Sequence, residues 1–187
     1  MNVMTTDLTF ITNEPNRNLL DRFKVLIKDT ELFDVLVGYF FTSGFYALYK
    51  FLEKTQKIRI LIGIGTNRQT FDFIQQAKGM QQQSLQFSHA EVKDQFSEEL
   101  VHEMGSSEDN RHVEEGVLKF LEWLKTGKLE IKAYPTENIH AKLYIMTFTE
   151  GDRDVGRVIT GSSNFTQAGL VDNLEFNVEL KNRADYD

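Results

Sequence analysis

Two short segments decide the fold and the chemistry predicted for this chain: Asn138–Ile145 (NIHAKLYI) and Ile159–Asn164 (ITGSSN). The first places His140 and Lys142 two residues apart on a predicted strand. Side chains alternate between the two faces of a strand, so residues two apart point the same way. The first segment therefore presents an imidazole and an ammonium group together.

The second segment places Ser162 and Asn164 two residues apart at the end of the next predicted strand. If the two strands are neighbours, a hydroxyl and an amide lie beside the imidazole and the ammonium group. These four groups make a compact polar site that suits a phosphate and needs no metal.

Length and composition limit the class of protein. A chain of 187 residues is predicted to form one domain over residues 1–187, long enough to bury a sizeable core. It has no cysteine, which excludes disulfides, thiol nucleophiles and cysteine zinc sites. No apolar run reaches the roughly 18 residues of a membrane helix, and no signal peptide is apparent. We therefore expect a cytoplasmic protein with no membrane partner. The net charge of −7 argues against a protein that coats nucleic acid, but it leaves a nuclease open.

The hydrophobic pattern alternates between helical and strand periods. Helices are predicted over 14–28, 44–55 (capped by Ser43), 69–78 and 113–125, and strands over 32–41, 57–65, 129–134, 139–148, 157–161 and 174–180. This alternation predicts an α/β fold with a mixed, largely parallel central sheet and helices on both faces. Residues 79–112 are predicted to form an insertion or a mobile lobe.

Several other features have a simple reading. The spacing of three histidines matches no zinc-ligand pattern, so surface positions are expected for His89, His102 and His112. Gly63-Ile-Gly65 lacks the third glycine and the Lys-Ser/Thr ending of a phosphate loop, which favours a tight turn. The aromatic run 39–41 can stack on bases, but core packing is the stronger reading for it and for Trp123.

Residues 138–177 resemble the phospholipase D superfamily, whose signature is His-x-Lys, a later Asp and then Gly-Ser-x-Asn. The matching positions here are His140, Lys142, Gly161, Ser162 and Asn164. The family also has an acidic residue about eleven positions after the Asn, which contacts the catalytic His, and Glu175 stands at that position. The surrounding sequence is most similar to the single-motif phospholipase-D-like domains of bacterial nucleases, restriction enzymes and the N-termini of Swi/Snf-type helicases.

One position departs from the family signature. The family's Asp falls five residues after the Lys, where this chain has Thr147. Asp152 and Asp154 lie farther along, in a predicted turn. In the family this Asp is regarded as mainly structural, so the resemblance still implies the family's chemistry.

The resemblance implies a phosphodiesterase that uses no metal and no cofactor. His140 would attack phosphorus and form a phosphohistidine, which splits one displacement into two steps. Lys142, Ser162 and Asn164 would bind the phosphoryl oxygens. Glu175 would hold the other imidazole nitrogen. A second imidazole must protonate the leaving oxygen. Because the chain has one copy of the motif, we expect a homodimer with a site shared at the two-fold axis.

Three functions follow from this reading. The leading one is an endonuclease domain acting on DNA, the N-terminal part of a longer protein with a possible C-terminal helicase domain. The second is a DNA-binding module of a helicase or restriction system that docks phosphates without cutting, which Thr147 and the acidic balance favour. The third is a lipid phosphodiesterase, against which stands the lack of a second motif and of a membrane-binding segment.

Overall fold

The computed structural model describes residues 10–15, 17–38, 40, 42–63, 110–133, 139–151 and 154–181. The predicted helix over 69–78 lies outside the described residues. So does most of the predicted insertion 79–112, with His89 and His102. Its last three residues, 110–112, are the start of a helix in the structure.

Within the described residues, seven strands form one mixed sheet. They are β1 (Phe10–Ile11), β2 (Thr30–Val37), β3 (Lys57–Ile62), β4 (Leu129–Ala133), β5 (Lys142–Phe148), β6 (Gly156–Gly161) and β7 (Asn177–Leu180). Their order across the sheet is β1-β7-β6-β5-β2-β3-β4. The α/β class with a mixed central sheet is confirmed.

Parallel pairing is confined to one half of the sheet. Strands β2, β3 and β4 run parallel. The pairs β2–β5, β5–β6, β6–β7 and β1–β7 are antiparallel. The sheet is thus less parallel than the alternation of elements predicted. The short turn between Phe148 and Gly156 accounts for one such pair, because parallel neighbours need a crossover of a dozen or more residues.

Helix α1 (Leu19–Leu26) begins later than predicted. The Asn18 side chain accepts a hydrogen bond of 2.7 Å from the Asp21 backbone N–H, which caps the helix at that point. Asn13, five residues earlier, adopts a left-handed conformation with φ 58°, which a helix cannot contain. The predicted C-terminal turn is present as a 3₁₀ turn over Ile27–Asp29.

Helix α2 (Thr42–Leu48) is shorter than predicted, and a separate 3₁₀ turn covers Leu52–Lys54. The prediction that Ser43 caps this helix is wrong. The helix already includes Thr42, and the Ser43 hydroxyl instead accepts a hydrogen bond of 3.2 Å from the Gln167 backbone N–H. Ser43 therefore ties α2 to the segment that follows β6.

The core lies between one face of the sheet and the helices α1, α2 and α3 (Asn110–Thr126). Phe23 of α1 meets the rings of Phe33 and Tyr144 edge-on, at centroid distances of 5.7 and 5.0 Å. Phe45 of α2 meets Trp123 of α3 at 5.5 Å, so the packing role predicted for Trp123 is confirmed.

Candidate active site

The two motif segments meet at one edge of the sheet, where β2 and β3 end and β5 and β7 begin. Lys142, the first residue of β5, pairs with Val37, the last residue of β2. Gly161, the last residue of β6, pairs with Asn177, the first of β7. Ligands of open α/β sheets bind beyond the carboxyl ends of the parallel strands, so a ligand site is expected at this edge.

His140 lies just before β5 instead of on it, because the strand begins at Lys142. The approach to the strand crosses the ends of β2 and β3 at two glycines. A Cβ on Gly38 or on Gly63 would lie 2.7 Å from the carbonyl oxygen of Ile139. The Gly38 N–H also donates to the Ala141 carbonyl at 3.1 Å. Gly63 therefore permits the backbone of Ile139 to pass close to the end of β3. Gly65 lies outside the described residues.

The side chains of His140 and Lys142 are in direct contact. Lys142 Nζ lies 3.0 Å from His140 Nε2 and 3.3 Å from the His140 carbonyl oxygen. An ammonium group only donates, so Nε2 is the acceptor of this bond in the tautomer that carries the imidazole proton on Nδ1. Lys142 is only 7% exposed, whereas His140 is exposed to solvent. The structure thus brings a fixed cation against an accessible imidazole.

Ser162 and Glu175 form the second contact of the site. The Ser162 hydroxyl donates a short hydrogen bond to Glu175 Oε2 and accepts one of 2.9 Å from the Phe176 N–H. Asn173 Nδ2 lies 3.5 Å from Glu175 Oε1. No hydrogen bond joins Glu175 to His140 in the described part of the chain. The expected hold of Glu175 on the imidazole is therefore absent from this structure, and the carboxylate binds Ser162 instead.

One atom of the Asn164 amide lacks a partner. Its Oδ1 atom is buried and has no hydrogen-bond partner among the described residues. A buried amide oxygen without a partner costs about 1–3 kcal/mol, which a bound group that donates a hydrogen bond can recover. The amide follows β6 on the same segment as Ser162, as predicted.

Three buried residues that the sequence reading missed hold the Gly-Ser-x-Asn turn in place. Ser163 and Asn177 are fully buried and exchange two hydrogen bonds: Ser163 N–H to Asn177 Oδ1 at 3.3 Å and Asn177 Nδ2 to Ser163 Oγ at 2.8 Å. The Tyr144 hydroxyl donates to the Ser163 carbonyl at 2.8 Å. Tyr144 could have been found from the sequence, because strand alternation puts it on the same face as Lys142.

Burial fixes the protonation of this tyrosine. It raises the pKa of Tyr144 far above the usual range, and the nearby Glu175 carboxylate raises it further. The phenol consequently remains a donor at any working pH.

Gly161 leaves the space that this support needs. A Cβ at this position would lie 2.6 Å from both Cα and Oδ1 of Asn177. The glycine of the family signature is therefore required here by the close approach of β6 and β7.

The support gives a stability prediction. Replacing Tyr144→Phe leaves the buried Ser163 carbonyl without its donor, which we expect to lower the free energy of unfolding by about 1–2 kcal/mol in urea titrations. Tyr49→Phe is the matched control, because the Tyr49 hydroxyl is buried with no hydrogen-bond partner in the described residues. The control should be neutral or stabilising, and equal effects of the two substitutions would contradict the assigned role.

Thr147 lies away from this edge. It is the sixth residue of β5 and pairs with Leu32 and Gly156. At about 3.3 Å per strand residue, the five steps from Lys142 span roughly 16 Å. Of the acidic residues in the turn, Asp154 binds Arg157 at 2.5 Å, and Asp152 is outside the described residues. The departure from the family signature thus falls outside the site contacts described above.

In the described ranges, no helix has both the length and the apolar character needed to span a membrane. No cluster of three or more His, Cys, Asp or Glu side chains is placed to hold a metal ion among the same residues.

The structure describes one residue of the aromatic run 39–41, Phe40. Its side chain is buried and stacks on Phe165, with ring centroids 5.7 Å apart, which confirms its packing role.

Comparison with known families agrees with the motif. Residues 26–187 match the family described as "Cardiolipin synthase, PLD-like domain". This match covers most of the chain, and the chain therefore belongs to the phospholipase-D-like family. Membership supports a phosphodiesterase-type activity.

Among solved structures, the chain is similar to yeast tyrosyl-DNA phosphodiesterase, with a TM-score of 0.48 and 11% identity over 91% of this chain. The SCAN1 mutant of yeast tyrosyl-DNA phosphodiesterase 1 gives a TM-score of 0.47 and 12% identity. In both cases the chain spans 31% of the yeast protein's length. No curated protein matches.

Proposed function

We propose that this protein is a metal-independent phosphodiesterase that cleaves DNA through a phosphohistidine on His140, in a site shared by two copies of the chain. The observation that carries the proposal is the 3.0 Å contact between Lys142 Nζ and His140 Nε2. It puts a nucleophile and the charge that stabilises a phosphoryl oxygen within reach of one phosphorus atom.

The first step uses the imidazole as nucleophile. Nε2 attacks phosphorus, a P–N bond forms, and the P–O bond to the leaving group breaks. Lys142 turns its hydrogen bond from Nε2 to a phosphoryl oxygen, which frees the attacking lone pair and neutralises developing charge. The Asn164 side-chain N–H, carried on the same segment as Ser162, donates a further hydrogen bond to a phosphoryl oxygen.

The leaving oxygen needs a proton, and His140 of a second copy supplies it. In the second step that imidazole takes a proton from water, whose oxygen attacks phosphorus and breaks the P–N bond. Acid–base catalysis of this kind contributes about 10²–10⁴ in rate. The same residue therefore has two roles in the two subunits of a symmetric site.

Ser162 and Glu175 act together in this proposal. The Ser162 hydroxyl is bound to Glu175, so its direct contribution to phosphate binding requires that this bond rearrange. The fixed pair holds the turn that carries Asn164. Contact of Glu175 with the imidazole stays a prediction for the assembled, substrate-bound site.

The experiment is cleavage of supercoiled plasmid and single-stranded DNA in excess EDTA. Wild type should cut both substrates. Lys142→Ala should cut them about 10²–10³-fold more slowly, because a preorganised charge is lost. Lys132→Ala is the control, since its side chain is 71% exposed and bound to Glu130. Tight DNA binding by wild type without any turnover would contradict the proposal and favour a docking module for an attached helicase.

A further inference from the structure

Three exposed apolar side chains lie at or next to the segment that carries Glu175. Leu174 is 80% exposed, Phe176 53% and Phe10 56%. The rings of Phe10 and Phe176 are in contact, with centroids 5.5 Å apart. We call Leu174, Phe176 and Phe10 the apolar patch. Clustered exposure of large apolar side chains beside a site is typical of an interaction surface.

The loop that carries Leu174 and Phe176 is tied at its N-terminal end. Asn13 Nδ2 donates to the carbonyls of Gly169 and Asn173 at 2.9 and 3.0 Å. Asn13 holds a left-handed conformation, φ 58°, to do so. The Asn173 N–H donates to the Ala168 carbonyl at 2.8 Å.

The C-terminal end of the loop is tied to the signature turn. Ser162 N–H donates to the Phe176 carbonyl at 3.0 Å, and the Phe176 N–H donates to Ser162 Oγ at 2.9 Å. Leu174 and Phe176 therefore project from a backbone that is fixed on both sides. A preorganised surface loses little conformational entropy when a partner binds.

We infer that the apolar patch is the centre of the two-fold interface with a second copy of this chain. This inference rests on the proposed function: each chain holds one His140, and the reaction needs two imidazoles at one phosphorus. A partner copy must therefore sit against the site edge, where Leu174 and Phe176 flank Glu175 in the chain.

The geometry of an isologous contact determines which residues of the two copies meet. Around a two-fold axis the same patch is contributed by both copies, so Leu174 and Phe176 meet the equivalent patch of the partner. A stable interface buries about 800 Å² per partner, of which a few central apolar residues carry most of the binding energy. The patch has three side chains, a number that fits such a centre and not a whole interface.

The test introduces a charge into that centre. We expect each of two substitutions made separately in the full chain, Leu174→Arg and Phe176→Arg, to raise the dimer dissociation constant at least about tenfold. Sedimentation equilibrium measures this constant. Leu118→Arg and Phe51→Arg are matched controls at side chains 48% and 42% exposed, and they should change the constant less than about threefold. Circular dichroism and thermal unfolding establish that all four variants fold.

The outcomes separate this inference from the proposed function. A dimer as tight in both patch variants as in wild type overturns the interface assignment and leaves the function standing. A monomeric wild type overturns both. Weaker binding of a single-stranded oligonucleotide with an unchanged dimer also overturns the assignment, and makes the patch a surface for stacking bases.

Because the chain has no cysteine, a second measurement is free of background. Leu174→Cys should be cross-linked into a covalent dimer by a short bismaleimide, and Leu118→Cys should not. Equal cross-linking of the two variants would contradict the assigned position of the axis.

Discussion

His140→Ala is expected to lower the rate of DNA cleavage in EDTA by about 10⁴-fold or more. In a shared site this single substitution removes the nucleophile from one subunit and the general acid from the other. Loss of residues that act as one unit is not additive, so the effect should approach that of removing the whole centre. Thr147→Ala is the control, because Thr147 lies at the other end of β5.

Mixing subunits tests the sharing itself. When equal amounts of wild type and His140→Ala are allowed to exchange, random pairing leaves about one quarter of the dimers with two imidazoles. Activity per total protein should then fall to about that fraction. A fall to only one half would mean that each chain works alone. Cleavage that persists in pure His140→Ala would remove His140 from the mechanism.

Glu179→Ala is expected to lower the free energy of unfolding by about 3–5 kcal/mol. Glu179 is 1% exposed and binds Arg22 twice, with Arg22 Nε and Nη2 at 2.5 and 2.6 Å. Arg157 Nε lies 3.3 Å from the same carboxylate. Removing the Glu179 carboxylate breaks its buried pair with Arg22, and breaking a buried ion pair by removing one partner is strongly destabilising. Arg157 keeps its contact with Asp154.

Urea titration measures this effect, with Asp34→Ala as the matched control. The Asp34–Arg59 pair has the same two-point geometry, at 2.5 Å for each bond, but its side chains are 23% and 54% exposed. Exposed pairs contribute about 0–1 kcal/mol. Glu179 lies two residues after Asn177, so the site should loosen as well. Similar effects of the two substitutions would mean that burial does not decide the cost.

The sequence was sufficient for the class of fold and for one contact of the site. Alternation of side chains in NIHAKLYI predicts that His140 and Lys142 point the same way, and the family signature pointed to the second segment. These inferences use short sequence distances, where strand geometry alone decides which side chains meet.

Other features depended on tertiary contacts that no local pattern records. Ser43 has the composition of a helix cap, yet its hydroxyl binds Gln167 far along the chain. Glu175 stands at the family position but binds Ser162 in this structure. The pairing of Ser163 with Asn177 also joins residues on different strands. Hydrogen bonds of this kind are settled by packing, after the strands are in register.

The order of strands also constrains when the site can exist during synthesis. Strand β2 is made early, but it must wait for β5 before its second edge is paired, as Thr30 pairs with Phe148. Strand β1 waits still longer, for β7. A nascent chain that ends before Asn177 lacks the partner of Ser163 and the anchor of the signature turn. A chain truncated at that point carries the His140 imidazole without the buried support of the signature turn.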